Sequence, residues 1–329
     1  MTIKIYDPSN NALGFLNNVF DLKITKEISG MEEMSFYVPI NSHEASLIQL
    51  EGYLYPEGEQ LFVIREINQH GNDIEVFCTL AIENLYGYCW EAITKQSISL
   101  VEAFEYAIQY TGWKFVNRSS KPATIRDIHI QNQTVWEALQ VLCEVFFVEL
   151  PVDTHTHTIT VYDRVGEDTG TFFISDMNLV NFRKDMSTHK LITRLIPIGK
   201  DGLRISSVNN GKEYIDNNKY SNKLLYGLWI QTAYTNPQQL KEDATKMLEE
   251  YARPYVTYNV DIVDLYRKSG NQLFKFGIGD TVTLIDKLSE EKAQQRVVKM
   301  EIYPHNPQLN NIELSNKNKT FQDYFKMIQ

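Results

Sequence analysis

The residues that come nearest to a chemical site are His155 and His157, set in the run Thr154-His155-Thr156-His157-Thr158. Two histidines at alternate positions of a strand share one face, which could place both imidazoles on one metal ion. No third ligand can be named, and the competing reading is an exposed hairpin end after Pro151-Val152-Asp153. Cys78, Cys89 and Cys143 all sit among apolar neighbours. An odd count with no export signal reads as buried free thiols, and no basic motif stands near any of them to activate a thiolate. Gly277 and Gly279 lack the rest of a dinucleotide fingerprint and read as turns. No H-E-x-x-H, G-x-S-x-G or G-x-x-x-x-G-K-[ST] string occurs, and no two carboxylates are marked as a glycosidase pair. The expectation is no catalytic, cofactor-binding or metal site, and no enzyme activity in this chain.

The bulk properties agree with a binding or structural role. At 329 residues the chain is longer than one core usually serves, so several domains are expected. Apolar residues make up 43% and charged ones 22%, which describes an ordinary folded protein. The net charge of −10 disfavours nucleic-acid binding as the main task, because that rests on Lys and Arg neutralising phosphate. A polyanion could still pass along an acidic wall without sticking to it. The N-terminus has no signal-peptide pattern, and the run Val141–Val148 is short and interrupted by Glu144. Synthesis as a soluble cytoplasmic product without membrane insertion is the expectation. With 19 Tyr against 4 Trp, a tyrosine-rich surface could stack on sugars or proteins, though pairs such as Tyr255 and Tyr258 suit half-buried strands equally well.

The elements that would carry these residues are mostly strands. Ile3–Tyr6 and Leu13–Phe15 flank a turn at Asp7–Asn11, Leu22–Ile24 and Ser35–Val38 flank Ser29-Gly30, and Leu61–Ile67 and Ile74–Leu80 form a hairpin. Short strands at this spacing suggest a small barrel or sandwich. Ser99 with Glu102, and again Thr134 with Glu137, make capping boxes ahead of apolar helical stripes. Strands are expected after each helix, at Trp113–Val116 and Phe147–Val152, followed by one at Thr156–Tyr162. Further on, Leu191–Gly199 and Leu203–Val208 read as two β-runs joined at Lys200-Asp201-Gly202, with a second turn at Asn209-Asn210-Gly211. Asn236 caps a third helix with Pro237 at its first position and Gln239 at the capping-box position. Strands then recur at Val256–Val263, Thr281–Ile285, Arg296–Ile302 and Asn311–Leu314, before a short amphipathic helix over Thr320–Ile328 with Phe321, Tyr324 and Phe325 on one side.

The string from Thr193 to Ile215, TRLIPIGKDGLRISSVNNGKEYI, resembles a segment of phage tail-tip hub proteins of the prophage tail endopeptidase (tail-associated lysin) family. Lys26–Gly30 with Ser35–Pro39, the T-x-x-E-A-L unit at Thr134–Leu139, and Gly279–Val282 with the Pro304 and Pro307 loop are similar to that family in the same order. The resemblance implies an α+β, mainly β, multi-domain fold with two small β-barrels and inserted α+β segments. It divides the chain at 1–92 (first barrel), 93–178 (helix–strand units), 179–254 (a turn-rich β segment returning to the first barrel, plus a helix) and 255–329 (second barrel with a short helix). It further implies a homotrimeric ring at the virion tail tip, matching the sixfold tail to a threefold tip around a DNA exit channel. The implied partners are the distal tail protein, the tape-measure protein, receptor-binding or tail-fibre proteins, and DNA in passage. The hub region ends close to Gln329, so the family's peptidase activity is not expected here. Two other readings stay open: a peptidoglycan hydrolase and a cell-wall carbohydrate adhesin.

Overall fold

The computed structural model describes residues 1–28, 30–175, 177–262, 270, 274–287, 290–316 and 325–326. The chain is α+β and mainly β. Its first strands are β1 (Ile3–Tyr6), β2 (Ala12–Leu16), β3 (Phe20–Glu27) and β4 (Glu32–Pro39), followed by the short helix α1 (His43–Leu47). Then come β5 (Tyr53–Pro56), β6 (Phe62–His70) and β7 (Asp73–Leu80). Met34, Phe36 and Val38 alternate into the core from β4 and are fully buried, as period-two patterning requires of a sheet with one wet face.

A mixed layer follows. After α2 (Glu83–Tyr86), β8 (Cys89–Ser99) pairs with β10 (Ile125–Thr134) on either side of α3 (Leu100–Ile108) and β9 (Lys114–Asn117). Helix α4 (Val135–Phe146) leads to β11 (Val152–Asp153) and β12 (Thr158–Val161), and β12 runs parallel to β9. Both expected capping boxes are made. Thr134 Oγ1 accepts from Glu137 N at 3.3 Å, while Glu137 Oε2 accepts from Thr134 N at 2.8 Å. Phe147 closes α4 in the left-handed conformation, so the strand expected over Phe147–Val152 begins late: Glu149 bridges Tyr162, Pro151 O accepts from Thr160 N, and Val152–Asp153 pairs with β12.

The last third interleaves two structures. β13 (Asp168–Ile174) and β14 (Leu179–Ser187) precede β15 (Arg194–Ile198), β16 (Ile215–Asp216), β17 (Tyr226–Ile230) and α5 (Pro237–Tyr251). The chain ends with β18 (Tyr255–Ile262), β19 (Thr281–Asp286), β20 (Glu291–Ile302), β21 (Asn311–Ser315) and β22 (Phe325–Lys326). The expected strand at Leu203–Val208 is absent. The flank of β15 is taken by β17 in parallel, and the segment satisfies its backbone locally through a 3-10 turn at Ser206–Val208. The turn at Asn209–Gly211 has the expected positive φ at Asn210 and Gly211. Asn236 caps α5, but the Gln239 side chain turns to Ile125 O at 3.5 Å and leaves the box unreciprocated. In the expected C-terminal helix, Phe325–Lys326 is a strand paired with β17, and residues 320–324 and 327–328 lie outside the described residues.

The strands expected in two barrels share one hydrogen-bonded path. Its order is β14-β18-β21-β20-β3-β4-β7-β6-β5-β1-β2, with β19 on β20 and β13 on β19, making 13 strands. Among the described residues its terminal strands are β14, β2 and β13, and a single bridge from Ser175 to Leu179 links the end of β13 to the start of β14. The path contains the same order twice: β3-β4-β7-β6-β5-β1 and β14-β18-β21-β20-β19-β13. The copies differ at their last strand, since β1 is antiparallel to β5 whereas β13 is parallel to β19. They meet where β3 lies antiparallel on the outer end of β20, from Ile24 opposite Ile302 to Glu27 opposite Lys299. Two apolar clusters underlie them, one spread from Ile3 to Ala252 and a smaller one from Phe173 to Leu314. Thr134→Ala will cost about 1 kcal/mol in denaturant unfolding by removing the α4 cap, with an unchanged slope.

Candidate functional site

The most fully built polar site lies where the mixed layer meets the second strand module. Arg296 sits on β20 at 8% exposure, and its guanidinium forms a two-pronged ion pair with Glu149, which follows α4 in sequence. The same side chain donates from Nε to Gly279 O at 3.0 Å and from an Nη to Val165 O at 2.6 Å. Glu149 in turn accepts from Val165 N at 2.6 Å. Asp280 adds two bonds, accepting from Glu167 N and Gly277 N, each at 2.8 Å. Arg164 reaches Thr281 Oγ1 at 2.8 Å. The planar fork of arginine suits this double recognition of a carboxylate and two carbonyls.

Two glycines make the approach close enough. Gly166 and Gly279 both have positive φ, at 81° and 87°. A Cβ on Gly166 would stand 2.1 Å from Gly279 C, and one on Gly279 would stand 2.6 Å from Val165 O. Here the backbones themselves touch, so no side chain of any size fits. The glycine read as a turn at Gly279 is thus also a contact point.

A cleft of about 480 Å³ opens over this junction, lined by Glu149, Asp163, Arg164, Thr281, Gln295 and Arg296 among others. Its acids serve structural bonds. Burial acts to raise the Asp163 carboxyl, but bonds from Ser120 and Lys121 outweigh it and hold the group below its usual value. A general acid for glycoside cleavage needs the opposite shift. His155 and His157 are placed on a turn, not a strand, with His157 at a φ of 49°. The His155 ring meets Glu59 O at 2.8 Å, and the His157 ring packs 5.2 Å from Trp113. Their shared face therefore does not form, and among the described residues no group of three or more His, Cys, Asp or Glu could hold a metal. Cys78 and Cys143 are buried free thiols pushed upward in pKa by that burial, but Cys89 is exposed. Its place at the start of β8 turns it outward, which the apolar neighbours Tyr88 and Trp90 concealed.

The sequence matches the prophage endopeptidase tail family over residues 167–325 and that family's N-terminal domain over residues 3–79. The chain belongs to this family. No curated protein sequence matches this chain. The fold of this prophage tail protein is similar to that of prophage tail protein gp18 from Listeria monocytogenes, with a TM-score of 0.71 at 17% identity, covering 98% of this chain and 97% of that one. It is also similar to the 43 kDa tail protein of prophage MuSo2 from Shewanella oneidensis, with a TM-score of 0.66 at 13% identity over 97% and 98% of the two chains. A tail protein from Neisseria meningitidis matches with a TM-score of 0.66 at 10% identity over 95% of each chain. The family places this protein in the virion tail.

Sequence reasoning found the Gly279–Val282 corner of the tail protein but missed Glu149, Gly166 and Arg296. Nothing local marks them, because they are brought together from three separate parts of the chain. In this tail protein Gly166→Ala will lower unfolding stability by about 2 kcal/mol or more, since strain and a backbone clash add. Glu149→Ala, which strips a buried arginine of its carboxylate, will cost about 3 kcal/mol. Thermal unfolding read from both tyrosine-rich and tryptophan-bearing regions checks each.

Proposed function

We propose that this protein is the structural hub of a phage or prophage tail tip, a homotrimer that adapts the sixfold tail tube to a threefold tip around the DNA exit channel. The observation that carries this reading is the duplicated strand order joined edge to edge within one chain. Three copies of a chain with two like modules present six like units, which is the arithmetic a sixfold-to-threefold adaptor needs. We divide the chain into a first barrel-like module at 1–92, an α+β insert at 93–178, the β segment and helix at 179–254, and a second barrel-like module at 255–329, whose strand order β13 and β14 complete from the two preceding segments. The distal tail protein and the tape-measure protein are its partners on the tube side, and receptor-binding or tail-fibre proteins attach on the other. DNA passes transiently, and the net charge of −10 disfavours its retention.

The protein acts by geometry in this reading, not by hydrolysis. The junction acids Glu149 and Asp163 are committed to Arg296, Ser120 and Lys121. Light scattering across a dilution series will give a mass of three chains, and a strict monomer at every concentration would overturn the homotrimer. A suspension of bacterial cell walls will keep its turbidity in the presence of the protein; clearing that Glu149→Gln or His155→Ala abolishes would instead establish a hydrolase.

A further inference from the structure

The two modules repeat more than a strand order. Their long central strands carry a register break at the same place. β6 slips against β7 between Ile64 and Glu66, and β20 slips against β21 between Val297 and Lys299. Counted from that break, Glu66, Ile67, Asn68 and Gln69 occupy the positions of Lys299, Met300, Glu301 and Ile302. The correspondence runs across the sheets. Ile64 faces Cys78, which faces Met34, which faces Ile24; Val297 faces Leu314, which faces Tyr258, which faces Lys184. Lys184, Asp185, Met186 and Ser187 of β14 therefore stand where Ile24, Thr25, Lys26 and Glu27 stand on β3.

Within the chain, one edge of each kind is used, because β3 lies on the outer end of β20. The counterpart edges are open among the described residues. β14 is the end of the path and pairs with β18 alone, apart from one bridge at Leu179. β5 covers β6 only at Phe62 and Val63, and from Glu66 to His70 β6 has β7 on one side and no strand on the other. An uncovered run of backbone donors and acceptors is a template for another strand. Both edges also carry apolar groups: Met186 is 63% exposed, and Ile67 packs against the first core while staying partly exposed.

We propose that β14 of one copy pairs antiparallel with Glu66–His70 of a second copy, in the register that joins β3 to β20 within the chain. Met186 then lies opposite Ile67, with Ser187 opposite Glu66, Asp185 opposite Asn68 and Lys184 opposite Gln69. The occupant is a second copy because the chain already contains this joint once, between elements of matching order and register break. Each copy offers one β14 edge and one β6 edge, so the contact is head-to-tail, the kind that generates a ring when its rotation closes. The number of copies rests on the trimer reading above; the choice of edges does not.

Opposed residues of an antiparallel pair lie about 4.5–5.5 Å apart between Cα atoms, within the span of a disulfide. The test is therefore a crosslink in a Cys89→Ser background, with Cys78 and Cys143 buried. A chain carrying Met186→Cys and Ile67→Cys, oxidised and run without reductant, will give bands of two and three linked chains. Either substitution alone will give no three-chain band. Ser187→Cys with Glu66→Cys tests the same register at a second pair, Glu66 exposed and Ser187 half-buried, if the first pair perturbs folding. A protein that is trimeric by light scattering yet links at neither pair would overturn this edge pairing and leave the trimer standing. A protein that is monomeric throughout and does not link would overturn both. A two-chain band from either single-cysteine variant as strong as that of the double variant would mark random collision and would also overturn the pairing.

Discussion

Everything in this fold hangs on the ladder between β3 and the outer end of β20. A sheet edge in a compact protein leaves backbone donors and acceptors that must find a partner, and an unsatisfied buried group costs about 1–3 kcal/mol. By laying β3 on β20 the chain satisfies one edge of each module at once and turns two sheets into one path of 13 strands. The bond from Ile28 N to Val298 O carries the joint through the register break. β20 consequently has three neighbours, β19, β21 and β3, and is the strand about which both modules are oriented.

The ion pair at Arg296 works on the same strand from its other half. Arg296 precedes the break at Val298, and its guanidinium binds Glu149, Val165 O and Gly279 O from the mixed layer and the β19 corner. A buried ion pair adds little net stability over an apolar contact of the same shape. Its effect here is on alignment, since any slip of the mixed layer would bury a charge away from its partner. The contact of Gly166 with Gly279 acts likewise by shape, allowing one approach of the two backbones. A second buried network, in which Asp243 receives the Tyr234 hydroxyl at 3.1 Å and lies 3.3 Å from Arg126, ties α5 to β10.

The titratable groups that drew attention as chemistry are thus absorbed into architecture. His155 serves a turn, Cys78 and Cys143 the core, and Glu149 the junction, while β14 carries exposed apolar side chains at Met186 and Val180.

Local chemistry was legible in the residues. The capping boxes at Ser99 and Thr134, the Asn236-Pro237 helix start, the β6–β7 hairpin and the strands from Val256 onward each follow from forces acting within one or two turns of chain, and each is present. The segment Leu203–Val208 alternates as a strand should, yet coils, because β17 lies along one side of β15 and β16 takes the start of the other, both elements with no strong local pattern. The strand expected at Phe147–Val152 starts only at Glu149, because a left-handed cap at Phe147 turns the chain out of α4 before it reaches Tyr162 and β12. What pairs with what, and hence the duplicated strand order, the β3–β20 joint and the meeting of Glu149 with Arg296, was decided only by tertiary structure. Periodicity tells which side of a strand is buried, but the partner of a backbone edge is set by which distant edges the folded core brings within hydrogen-bonding reach.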